Sequence, residues 1–148
     1  MKSVFLLLFI IVSTTCYGQI VVDKAGDGWD LKVDSALNLI EKTDSNAHNL
    51  IHSVCYKIQF WNGCYSTNDG EHDIIISTGD IKLGSINNLA AVIVHESVHL
   101  YLSNRGVELI TKVEENLTYR YELDFINKLP NPEPWLIHHA QQQIINTQ

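Results

Sequence analysis

The 148-residue sequence has no surplus of positive charge: ten Lys and Arg stand against seventeen Asp and Glu, a formal net charge of -7. A nucleic-acid partner needs clustered cations to displace counterions from phosphates, so this balance argues against that class of function. There is no internal repeat, no linker and no low-complexity tract. A composition of 45% hydrophobic, 18% charged and 9% aromatic residues excludes a disordered chain or a collagen-like fibre. The length accommodates one domain with a real core and hardly two. No apolar run reaches the roughly 20 residues of a transmembrane helix, so no membrane span is expected. Asp23, Asp27 and Asp30 lack the spacing and closing glutamate of an EF-hand, so they read as a solvated loop.

What is present begins with a leader. Lys2 precedes an apolar run over 4–12, and Ser13-Thr14-Thr15-Cys16-Tyr17-Gly18 leads into the polar Gln19. That order reads as a secretory signal cleaved after Gly18. Residues 1–18 are thus expected as a signal peptide and 19–148 as a single exported domain, periplasmic or secreted. Acylation of Cys16 is the competing reading, disfavoured because the preceding Ser13-Thr14-Thr15 lacks the usual leucine and small residue. Cleavage reduces three cysteines to two, Cys55 and Cys64, in a compartment where disulfides persist. A bridge between them is expected, worth about 2–3 kcal/mol.

Residues 19–30 read as a mobile polar lead-in. Leu31, Ala36, Leu37, Leu39 and Ile40 recur at helical intervals, which predicts a helix over 31–42. A second short helix runs through Leu50, Ile51 and Val54. Strands are expected over 56–61, ending at a turn at Asn62-Gly63, and over 73–78; residues 79–84 either extend the second strand or leave it. Ser85 or Asn87 caps a helix that is apolar nearly all round over 89–102, and such a helix belongs in a core. Gly106 can close it in the left-handed conformation. A further helix is predicted from 107 to about 129, stopped by Pro130, and a short one from Trp135 to the end.

Inside the apolar helix lies His95-Glu96-Ser97-Val98-His99. Residues four apart share a helix face, so the two imidazoles can converge on one ion. Glu96 falls about 100° round from His95, beside such an ion, where a base is needed to take a proton from activated water. Burying two histidines and a glutamate in an apolar helix is costly unless something pairs them. Two histidines and a carboxylate suit zinc, and also Fe²⁺.

The motif resembles that of the zincin metallopeptidases, in the branch whose third zinc ligand is a glutamate on the following helix. Glu115-Asn116-Leu117-Thr118 matches that branch's glutamate with a small residue three positions on, and Tyr119, Tyr121, Glu122 and Phe125 follow. The resemblance spans roughly 73–126. It implies one Zn²⁺ held by His95, His99 and Glu115, with Glu96 as catalytic base. It further implies a minimal zincin-like α+β fold, a small β-sheet packed on the buried motif helix with helices around it. Helical-wheel arithmetic instead places Glu114 at the centre of a stripe of Ile110, Leu117, Tyr121 and Phe125. Glu114 therefore stands as the alternative ligand, with Glu122 behind it. Tyr119 occupies the place where the branch often has an aspartate that orients a histidine.

In zincins the edge strand beside the motif helix pairs with an extended substrate; residues 73–77 are either that edge or an internal strand. His138 or His139 would steady an oxyanion if the last helix folds back over the cleft, and otherwise forms a solvated pair. His48, His52 and His72 read as surface or loop residues. Asn116-Leu117-Thr118 matches a glycosylation triplet but lies mid-helix. The expected activity is exported zinc-dependent hydrolysis of a peptide or protein substrate. The alternatives are a zincin-fold metal-binding protein without activity and a plain interaction module.

Overall fold

A computed structural model describes residues 18–25 and 27–148. In chain order the elements are β1 (Val21–Val22), α1 (Trp29–Thr43), α2 (Ser45–Val54), β2 (Lys57–Trp61), β3 (Thr67–Asn68), β4 (Asp73–Ser77), α3 (Thr78–Leu83), α4 (Ile86–Asn104), α5 (Thr111–Lys128) and α6 (Pro134–Asn146). The fold is α+β, with a four-stranded mixed sheet in the order β1-β2-β4-β3 among the described residues. β1, β2 and β4 run parallel and β3 runs antiparallel to β4. The segment 73–77 is therefore internal, and the short β3 forms the edge.

Local chemistry sets the element boundaries. The Asp44 side chain accepts from the backbone N–H groups of Asn46 and Ala47 and caps α2. Ser77 ends β4 and caps α3 by accepting from Asp80 N, so 79–84 leaves the sheet as a helix. Ser85 caps α4 by accepting from Asn88 N at 3.0 Å. Gly106 follows α4 at φ 63°, a left-handed position that glycine adopts without strain.

The core lies between α4, the sheet and the flanking helices. α4 packs on α1, α2, α5 and the β3–β4 hairpin, with Leu89, Ala90, Ile93, Val94 and Leu100 all fully buried. The sheet contributes Ile58, Ile74 and Ile76, also fully buried; each such side chain adds about 1.5–3 kcal/mol of apolar burial. Truncating Ile93 to Ala would cost about 2–5 kcal/mol through lost burial and the cavity left behind.

Four expectations are corrected. The segment 19–30 is not a bare lead-in: Ile20 is buried and β1 pairs with β2. α5 starts at Thr111 and not at 107, because the apolar Ile110 is 72% exposed and finds no core to pack on. Leu117 is likewise 44% exposed, so the buried stripe of α5 is Thr118, Glu122, Phe125 and Ile126.

The fourth correction concerns the disulfide. Cys55 and Cys64 are free thiols, the first buried and the second exposed. β2 runs between them and pairs in parallel with β4, so no hairpin at Asn62-Gly63 returns the chain. A five-residue strand extends about 16 Å, whereas a bridge needs Cα atoms within about 7 Å. The leader, with Cys16, falls outside the described residues as far as Tyr17.

Candidate metal centre

α4 carries His95 and His99 one turn apart, and their Nε2 atoms lie 3.2 Å from each other. α5 brings Glu115 to the same point: its carboxylate oxygens lie 3.4 Å from His99 Nε2 and 3.7 Å from His95 Nε2. Donors held at 2.0–2.1 Å by one tetrahedral ion stand about 3.3 Å apart. Two imidazole nitrogens and one carboxylate oxygen thus lie within 4.8 Å of one another, a donor set of the kind zinc takes.

The outer edges of both rings are also engaged. His95 Nδ1 lies 2.8 Å from Glu122 Oε2, and His99 Nδ1 lies 2.6 Å from Glu114 Oε1. Ionised carboxylates only accept, so each Nδ1 donates, and in the neutral rings each Nε2 lone pair faces its neighbour. Two lone pairs 3.2 Å apart repel unless a cation or a proton sits between them. His99 registers that pull in the absence of metal. Burial draws its proton affinity down, but hydrogen bonds to Glu115 and Glu114 and the charges of Glu115 and Glu96 outweigh it, holding its pKa up to about 9. The His99 hydrogen bond keeps Glu115 below the usual carboxylate range against its burial, with help from both histidine charges.

Glu114 and Glu115 both reach the centre because they precede the buried Thr118 by four and three residues, the two neighbouring positions on a helix face. Thr118, fully buried, presents a small side chain at the α4–α5 contact. Glu114 binds the outer nitrogen of His99 and Glu115 faces the inner ones, so the two alternatives left open by the sequence hold different places in one centre. Glu122, only 6% exposed, reaches His95 from two turns beyond Glu115 and stands in for the absent aspartate. Tyr119 lies against the His95 ring instead, centroids 4.6 Å apart; burial first, and then the charges of Glu122, Glu115 and Glu96, push its hydroxyl up to about 12.

Glu96 is 7% exposed and lines the same cleft. Its Oε2 accepts from Asn68 Nδ2 at 2.8 Å. Asn68, on β3, was not singled out from the sequence; a polar residue in a Ser-Thr-Asn-Asp-Gly loop carries no signal that its partner lies on α4. The cleft, about 1040 Å³, runs from Cys64–Thr67 past the histidines to α6, which folds back so that Trp135 and His139 line it. His138 is exposed and does not line it, nor do His48, His52 and His72. The Asn116 amide donates to Ile144 O and Thr147 Oγ1, fastening α5 to α6, which leaves it engaged rather than presented for glycosylation.

No protein-family model, no curated protein and no solved structure matches this chain. Functional inference therefore rests on the geometry just described.

Proposed function

We propose that this protein is a zinc-dependent peptidase of minimal zincin type, with His95, His99 and Glu115 as metal ligands and Glu96 as general base. The observation that carries the proposal is the convergence of one atom each from His95, His99 and Glu115 to within 4.8 Å of one another, with both outer ring nitrogens bound by carboxylates. Bound there, Zn²⁺ would supply Lewis-acid polarisation of a scissile carbonyl and acidify water towards neutrality.

The chain's own residues supply the rest. Glu96 takes the proton from the attacking water and delivers it to the departing amine. Asn68 occupies one of its oxygens, while Oε1 takes no hydrogen bond from a described residue. β3 stands at an edge of the sheet, where an extended peptide would pair with it, and His139 on α6 also lines the cleft. The leader adds export to the proposal. A zincin-fold metal-binding protein without activity is the alternative, suggested by the small size and by Tyr119 in place of an aspartate; the Glu122–His95 contact favours the hydrolytic reading.

The test is elemental analysis of the purified mature protein followed by digestion of a broad peptide library. One zinc per chain and hydrolysis abolished by Glu96→Gln are expected. Absence of stoichiometric metal, or hydrolysis untouched by Glu96→Gln, refutes the proposal, and iron in place of zinc corrects the metal.

A further inference from the structure

The side chain that holds Glu96 belongs to the sheet, not to the motif helix. Asn68 sits in the two-residue β3, opposite Ile74 of β4. Its Nδ2 donates to Glu96 Oε2 at 2.8 Å while its Oδ1 accepts from Gly70 N at 3.0 Å. These opposite demands fix which end of the amide faces the glutamate. Gly70, at φ 77°, turns the loop, and its carbonyl accepts from Ser103 Oγ at 2.6 Å. Ser103 lies about two turns beyond Glu96 on α4. The β3 loop is therefore fastened to α4 at two points, one of them the carboxylate.

We propose that Asn68 is a positioning residue for Glu96, acting through its carboxylate to set which oxygen receives the proton. This rests on the hydrolytic reading above. A carboxylate turns readily about its last side-chain bond, where the torsional wells are broad. With Oε2 taken by the amide, Oε1 is the oxygen left for water. Because Asn68 lies on the edge strand, a peptide that pairs with β3 also steadies the loop that holds the base. Asn68 thereby ties substrate docking to proton transfer.

A double-mutant cycle on the zinc-loaded full chain tests this, with acetohydroxamic acid as probe; it chelates zinc and shares a proton with a neighbouring carboxylate. Asn68→Leu keeps the size of the side chain but removes the donor to Glu96 without adding a charge, and Asn68→Ala serves as a second variant. Each should weaken probe binding roughly tenfold, the scale of a hydrogen bond to a charged group. In a Glu96→Gln background the same changes should alter binding less than about twofold. Peptide hydrolysis should show kcat falling with KM unchanged. Equal losses in both backgrounds would mean a structural role, and no loss in either would mean no role; both overturn the inference. Failure of the unmodified zinc protein to bind the probe would sink the metal-site reading and this inference with it.

Discussion

Glu122 Oε2 stands 2.8 Å from Nδ1 of His95, joining the buried face of α5 to the outer edge of a proposed metal ligand on α4. This contact fixes the ring's tautomer and turns Nε2 towards Glu115. Glu122→Gln keeps the shape but loses the charge, and is expected to lower zinc affinity about 10–100-fold. Competition against a chromophoric chelator measures it, with circular dichroism confirming the fold. Unchanged affinity would remove Glu122 from the centre.

The raised proton affinity of His99 sets a pH dependence. A histidine whose folded pKa lies above its unfolded value of 6.5 stabilises the metal-free fold fully below about pH 6.5, and that contribution is lost as pH rises through about 9. Zinc needs the same nitrogen unprotonated. Apparent zinc affinity should therefore climb roughly tenfold per pH unit for each displaced proton and level off above about pH 9. Calorimetry at pH 7.5 in buffers of different ionisation enthalpy should show about one proton released per zinc. No release would contradict the assignment of His99.

The cleft carries a charge preference. Asp80, Glu96, Glu114, Glu115 and Glu122 line it, and no Lys or Arg does so among the described residues. Nearby cations are turned elsewhere: Lys32 donates to Ile81 O and Gly84 O, and Lys82 lies over Trp29. The two positive charges of one bound zinc ion would still leave that surface acidic. Peptides with Lys or Arg flanking the cleaved bond are expected to show kcat/KM at least about tenfold above Asp or Glu counterparts, with the gap narrowing in high salt. Matched peptide pairs at two ionic strengths decide the matter.

The free thiols give a test of the fold. Burial pushes Cys55 up to about 12, and Cys64 is exposed. Of these two, only Cys64 should react with a thiol reagent under native conditions, and Cys55 should follow upon unfolding. Cys64→Ser should leave stability within about 0.5 kcal/mol. An intact mass two hydrogens short, with neither thiol reactive, would restore the disulfide.

The motif helix was legible because its signals are local: Ser85 caps it, its apolar positions surround it, and four-residue spacing puts His95 and His99 on one face. The resemblance to the zincin pattern pointed to Glu115, which the fold brings to within 3.4 Å of His99 Nε2. The start of α5 was not legible, since Val107 and Ile110 look like core residues and only the tertiary arrangement leaves them 40% and 72% exposed. That same misreading tilted the wheel towards Glu114. β1 and β3 are two residues each, too short for any periodic pattern; β1 exists through pairing with the distant β2, and β3 through pairing with its hairpin neighbour β4. Asn68 belongs to that class: its role depends on where a hairpin lands against α4.

All of the proposed donors and their carboxylate partners lie between His95 and Glu122, on two helices joined by one short turn. Closing so short a loop costs little chain entropy, and contacts this local form quickly. The proposed donor set thus needs only this helix pair to come together, whereas the hold on Glu96 also needs the β3 loop, which the sheet supplies.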